Sequence, residues 1–162
     1  MTPPESLREL TFDAIMATLA TAEVDRAVGI ATKKHDEVDT TEGRMERWAA
    51  LIPTRGHGQH YVKPHVHEKE DIAARGNEYY LGLRGRGLMH TGLLMLTGKP
   101  FWDPAQILTV RGEIVIEPET IHCLENIGDE PFILVFCCPP EHMTTDRKTV
   151  DELPPMLTST GK

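Results

Sequence analysis

From Glu78 to Pro140 the chain rarely runs far without a glycine or a proline. Glycines stand at 82, 85, 87, 92, 98, 112 and 128, and prolines at 100, 104, 118, 131 and 139. The segments between them are short and β-like: 78–83, 87–90, 93–96, 107–110, 113–116, 121–125 and 132–138. Short strands with turn signals about every ten residues predict an all-β sandwich or barrel. The run 132–138 is apolar at all seven positions, which fits a strand buried on both faces. The stretch Phe101-Trp102-Asp103-Pro104 reads as a loop whose apolar side chains need cover.

Upstream the pattern changes. Residues 6–27 keep a rough helical stripe of Leu7, Leu10, Ala14, Ala17 and Leu19. Pro3 and Pro4 precede it, and Ser6 with Glu9 reads as a capping box. Residues 29–43 are polar and charged, a loop or a weak edge strand. Residues 47–52 are β-like and end at Pro53, and Thr54-Arg55-Gly56-His57-Gly58 is turn chemistry. Residues 60–67 alternate like a strand, but Pro64 removes a ladder donor and predicts an edge or a bulge there. With 162 residues, one domain is expected. It divides into a helix and arm over 1–43, a barrel over 44–142, and a tail over 143–162 that is ordered only in part.

The chemistry concentrates around His65-Val66-His67. On a strand, residues two apart share a face, so His65 and His67 point the same way. Two imidazoles aimed into one pocket suit a divalent metal, and a carboxylate from the next strand adds a hard oxygen ligand. Glu78 opens that strand, and His122, after the turn Glu117-Pro118-Glu119-Thr120-Ile121, is the fourth candidate. Asp71, nearer to His67 in sequence, is a rival to Glu78. Three histidines and one carboxylate leave open positions on the ion, the mark of a catalytic rather than a structural site. Such mixed ligation admits Fe(II), Mn, Ni, Co or Zn. Residues 68–77 form a charged insertion beside the site, either a solvated loop or a lid whose Lys69 and Arg75 meet an anionic substrate. His35 reads as a surface residue, His57 and His60 as loop residues, and His90 as structural.

Charge and cysteine usage narrow the class. A net charge of −8 argues against nucleic-acid binding, which needs a basic face. The three cysteines, 123, 137 and 138, make a poor disulfide framework and suggest a reducing compartment. No apolar run approaches the roughly 20 residues that span a bilayer, and Met1-Thr2-Pro3-Pro4-Glu5 lacks the look of a signal peptide. A cytoplasmic protein without membrane or nucleic-acid partners is expected.

The pattern resembles the cupin superfamily. His65-x-His67, Glu78-x6-Gly85, Gly112-x5-Pro118 and His122-x3-Asn126 follow one another in the order of its two motifs. Three features depart from it: ten residues separate His67 from Glu78, where three or four are usual, Thr120 stands where a glycine is usual, and the distance from Pro118 to His122 is one residue short. Within the superfamily, residues 48–142 resemble the cupin-type glucose-6-phosphate isomerases, first known from archaea. The resemblance includes Leu51-Ile52-Pro53, Glu78-x-Tyr80 before Gly85-x-Gly87, and Asn126-Ile127-Gly128-Asp129-Glu130-Pro131-Phe132-Ile133. It implies a jelly-roll barrel and a homodimer. It also implies metal ligation by His65, His67, Glu78 and His122, with Glu78 as the conventional base. Tyr80 and His142 match substrate-contacting positions. The implied reaction interconverts glucose 6-phosphate and fructose 6-phosphate. The family's phosphate-holding Thr-Lys-Gly run is here Val62-Lys63-Pro64, so Lys63 alone is kept and Arg75 is a replacement cation. Two other classes fit the same motifs: another metal-dependent cupin enzyme, such as a dioxygenase or natural-product cyclase, and a non-catalytic small-ligand binder.

Overall fold

A computed structural model of the chain describes residues 1–24, 28–67, 76–143, 148–155 and 157. Helices α1 (Pro3–Arg8) and α2 (Phe12–Leu19) lead into strands β1 (Ala31–Thr40), β2 (Gly43–Ile52), β3 (His65–Val66), β4 (Glu78–Arg84) and β5 (Gly87–Leu94). Then come β6 (Pro100–Trp102), β7 (Gln106–Leu108), β8 (Glu113–Ile116), β9 (Ile121–Asn126) and β10 (Phe132–Cys138). A tight helical turn, Pro140–Met143, and a short β11 (Lys148–Thr149) complete the order. One sheet runs β1-β2-β10-β4-β8; the other runs β11-β3-β9-β5-β6, with β7 also on β5. The all-β fold expected from the spacing of turns is the one observed.

Alternation along β10 explains how the layers stack. Phe132, Leu134, Phe136 and Cys138 point between the sheets, where they meet Ile52, Met89, Leu108 and Leu124. Ile133, Val135 and Cys137 point the other way, onto Leu7, Leu10, Ile15 and Leu19 of the helical segment. A strand with both faces covered reads as a continuous apolar run, as this one does. Fully burying side chains of this kind stabilises by about 1.5–3 kcal/mol each, so the helices are part of the core rather than an appendage.

The local chemistry corrects several expectations. The helix expected over 6–27 is two short helices broken around Leu10. The capping box is Thr2 with Glu5, not Ser6 with Glu9. Pro3 and Pro4 are tolerated in a first helical turn, whose N–H groups lack intrahelical partners anyway. The hydroxyl of Thr11 then accepts the Ala14 N–H at 3.1 Å and starts α2. The bend lets Leu7, Leu10, Ile15 and Leu19 all reach one cluster. The polar stretch after Gly29 forms a ten-residue edge strand, β1. Strand β5 runs through Gly92 without a break, because the bare glycine admits a neighbour: a Cβ there would stand 2.4 Å from the Phe101 carbonyl oxygen. Phe101 and Trp102 therefore lie in a paired strand, β6, not in a loop. β3 is not an edge: it lies between β11 and β9, and the Pro64 carbonyl accepts the Val150 N–H at 2.9 Å.

Arg47 ties the helical segment to the sheet. Its side chain is 7% exposed. It donates to the Ser6 carbonyl and to Glu9, both at 2.8 Å, and to both carboxylate oxygens of Asp36, with Nε–Oδ1 at 2.7 Å. Hydrogen bonding by Arg47 holds the Asp36 carboxyl below its ordinary value. Replacing Arg47 by Leu should lower unfolding stability by about 2 kcal/mol, because the buried Ser6 carbonyl loses its donor while Asp36 and Glu9, partly exposed, can rehydrate. A lowered carboxylate pKa contributes stability above the unfolded value, which is lost as pH falls through the folded one. The gap between wild type and Arg47→Leu in urea midpoint should therefore narrow below about pH 4. A gap independent of pH would remove Asp36 from this account.

Candidate metal centre

Two short segments aim imidazoles into the space between the sheets. His65 on β3 pairs directly with His122 on β9, so their side chains share a face. Val66 points away, into a separate cluster with Ile121 and Val150. His67 follows on the same face as His65. The Nδ1 of His65 lies 3.0 Å from the Lys63 carbonyl, and that of His122 lies 3.1 Å from the Thr120 carbonyl. A carbonyl can only accept, so both Nδ1 atoms carry a proton and both Nε2 atoms face inward. His122 Nε2 is buried and makes no hydrogen bond. The turn before it is braced from the facing segment: the Glu119 N–H donates to the His67 carbonyl at 3.1 Å, with Glu119 at φ 66°.

Glu78, 2% exposed, sits opposite. Its Oε1 accepts the Tyr80 hydroxyl at 2.6 Å and lies 3.2 Å from His122 Nε2, near enough for attraction but without hydrogen-bond geometry. Its Oε2 lies 2.7 Å from His142 Nδ1 and 2.8 Å from His67 Nε2. The rings of His67 and His142 stack, with centroids 4.3 Å apart. Burial pushes the Glu78 carboxyl up. The pull of His122, followed by His142 and His67, outweighs it and holds the group well below the usual carboxylate range. The ligand atoms of His65, His67 and His122 lie within 4.8 Å of one another, as do those of His67, Glu78 and His142. Buried nitrogen and oxygen donors at this spacing could hold a metal ion, and the unspent Nε2 of His122 is what such an ion would use.

The centre forms one wall of a cavity of about 450 Å³. His65, His67, Glu78, Tyr80 and His122 line it, with Lys63 at an exposed position. The other walls are largely apolar, including Ile30, Ile52, Leu124, Leu134 and Phe136. Of the sequence-selected residues, the structure brings together His65, His67, Glu78, His122, Tyr80 and His142, and sets Lys63 on the same cavity. Asp71, Lys69 and Arg75 lie outside the described residues. The apolar walls escaped sequence reasoning, since nothing in the sequence around Ile30 or Ile52 marks either as facing a cavity. So did a trio behind β9. His90 Nε2 lies 2.9 Å and His60 Nε2 3.4 Å from the buried Glu125 carboxylate. Glu125 alternates with Leu124, so it faces away from the cavity. Burial pushes all three cysteine thiols up, Cys137 to about 12, and none joins the centre.

No protein-family model matches the chain. A double-stranded β-helix protein from Klebsiella pneumoniae superposes with a TM-score of 0.56 at 15% identity, over 85% of this chain and 95% of that one. A cupin-like protein from Thermotoga maritima gives 0.53 at 14% identity, over 84% of this chain and 88% of that one. An oxalate decarboxylase from Lactobacillus farciminis gives 0.54 at 14% identity, over 90% of this chain but 38% of that one. The fold is a cupin. By sequence, the glucose-6-phosphate isomerases of Pyrococcus abyssi and Pyrococcus horikoshii are each 36% identical over 81 residues. That match spans 49% of this chain and only 37% of those relatives. The suspected likeness of this cupin to the archaeal isomerases is thus present in the sequences themselves. Among the described residues no helix is long and apolar enough to cross a membrane.

Replacing His122 by Ala should cut the divalent metal retained after dialysis by about tenfold or more, read by elemental analysis against wild type loaded in parallel. Unchanged metal content would remove His122 from the ligand set.

Proposed function

We propose that this cupin is a divalent-metal-dependent isomerase that moves a proton between carbons beside a carbonyl. The interconversion of glucose 6-phosphate and fructose 6-phosphate is its reference reaction. The observation that carries the reading is Glu78: an ionised carboxylate, buried on the cavity wall and hydrogen-bonded through both oxygens. The archaeal isomerase match supports the reaction class, and the histidine cluster supports the metal.

His65, His67 and His122, with Glu78, would hold the ion, which when bound supplies Lewis acidity toward the substrate's carbonyl and hydroxyl oxygens. The chain's own groups account for the proton. Glu78 takes it from the carbon beside the carbonyl, and the freed electron pair becomes the double bond of an enediol. The former carbonyl oxygen gains a proton. Return of the first proton to the neighbouring carbon, with loss of the other hydroxyl proton, gives the transposed carbonyl. Atoms balance and no oxidant is needed. His142 Nδ1 and Tyr80 Oη each donate to a different oxygen of Glu78, so they fix its orientation and moderate its basicity. The apolar walls exclude water, which protects the enediol and strengthens the charges at the centre.

One observation favours a second reading, another metal-dependent cupin enzyme such as a dioxygenase. The cavity has few polar groups for a polyhydroxylated substrate apart from the centre itself.

A coupled assay of fructose 6-phosphate conversion should show activity that chelator abolishes and Fe(II), Mn, Ni, Co or Zn restores. Glu78→Gln, reloaded with metal, should lose about a hundredfold or more. Turnover indifferent to chelator would sink the metal-dependent mechanism. Metal-stimulated O2 consumption without isomerisation would favour the dioxygenase.

A further inference from the structure

We infer that the substrate of this cavity has an apolar body and a single carboxylate, held by Lys63, with the reacting carbonyl turned toward the histidine–glutamate centre. The inference rests on the proton-transfer reading above and departs from its reference substrate.

Lys63 is the only lysine or arginine among the described lining residues. It is exposed, and its ammonium has no hydrogen-bond or ion-pair partner among them. The backbone around it adds little for an anion. Val62 donates its N–H to the Leu124 carbonyl at 2.8 Å, and Pro64 has none to give. One point charge on a flexible stem suits a monoanionic carboxylate. A phosphate dianion, with three acceptor oxygens, calls for several converging donors. Among the described residues no helix N-terminus or glycine-rich turn lines this wall to supply them.

The walls argue in the same direction. Ile30, Ile52, Leu124, Leu134, Phe136 and Met143 surround the space between Lys63 and the centre. Of the remaining polar lining, Gln59 commits one amide N–H to the Tyr61 carbonyl at 2.8 Å, and Thr32 offers a single hydroxyl. A sugar phosphate would bring its chain of hydroxyls against these walls and lose more water bonds than Thr32 and Gln59 can replace. An alkyl or aryl body fills the same volume favourably. The chemistry needed of the substrate is unchanged: a carbonyl with an acidic C–H beside it. For a 2-oxo acid, the C3 proton passes to Glu78, its electron pair forms the C2–C3 double bond, and the carbonyl oxygen takes a proton. The enol that results is an isomer of the oxo acid.

Phenylpyruvate and fructose 6-phosphate are suitable probes, titrated calorimetrically into the metal-loaded full chain. Exchange of solvent deuterium into C3 of phenylpyruvate is followed by NMR. Phenylpyruvate should bind about tenfold or more tightly than fructose 6-phosphate, and Lys63→Met should remove most of that affinity. Lys63 is exposed, so the variant is expected to fold, and circular dichroism checks that it does. Equal or tighter binding of fructose 6-phosphate overturns the inference, as does phenylpyruvate affinity indifferent to Lys63→Met. Failure of phenylpyruvate to bind also overturns it. Tight, Lys63-dependent binding without deuterium exchange upholds the substrate class and counts against the proton-transfer reading alone.

Discussion

A carboxylate buried between two sheets of largely apolar side chains is the constraint to which the rest of this molecule answers. Taking an ionised carboxyl out of water costs several kcal/mol unless its lone pairs are met. Groups from four places in the chain surround Glu78, and all but His122 meet its lone pairs. Tyr80 comes from its own strand, His67 from just after β3, His122 from β9, and His142 from the turn after β10. The Glu78–His142 contact spans 64 positions. The satisfied carboxylate therefore exists only once β10 has paired with both β2 and β4, which sets the final turn over the cavity. Closure of the sandwich and assembly of the centre are one event. A substitution that loosens either should be felt by the other.

The histidines differ in what they are free to do. His65 and His122 spend their Nδ1 protons on backbone carbonyls within two residues, an interaction local enough to survive movement elsewhere. Their tautomer is thus a property of strand geometry. The β3–β9 pairing that brings them together is only a one-residue register, His65 with His122. It is reinforced on its outer side by β11 and by the apolar cluster of Val66, Ile121 and Val150. The alternation that sends both histidines inward sends these apolar residues outward. The same two segments therefore anchor the sheet and furnish the site.

Much of this was legible in the sequence, and the parts that were not share a cause. His65, His67, Glu78 and His122 could be brought together on paper because period-two alternation and turn spacing are local rules. His142 entered through family resemblance alone, because it sits in an irregular turn with no period. The break between α1 and α2 was missed because Leu10 continues the helical stripe. What places Leu10 is a shared cluster with Ile133 and Val135, more than a hundred residues later. Gly92 read as punctuation because a glycine that ends a strand and one that admits a neighbouring carbonyl look alike until the neighbour is known. The cavity walls were hidden most fully. In the run 132–138 every residue is apolar, and only the two-sided cover of β10 shows that Leu134 and Phe136 face the cavity while Ile133 and Val135 face the helices.

The lone pairs of Glu78 show why such a centre can be both stable and reactive. His67 crowds Oε2 alongside His142, and His122 stands beside Oε1 with no hydrogen bond made. Uptake of a divalent ion asks His67 and His122 to turn their Nε2 lone pairs to it, and any proton on those atoms must leave. His142 and Tyr80 are under no such demand, and each already holds a different oxygen. The carboxylate would then keep one hydrogen bond per oxygen, enough to offset its burial, with lone pairs to spare for an ion and for a substrate proton. A base held by four neighbours would be too well satisfied to act, and one held by none would not stay ionised in an apolar wall. The division of labour between the two histidines that would change partners and the two donors that need not is what lets one buried carboxylate meet both requirements.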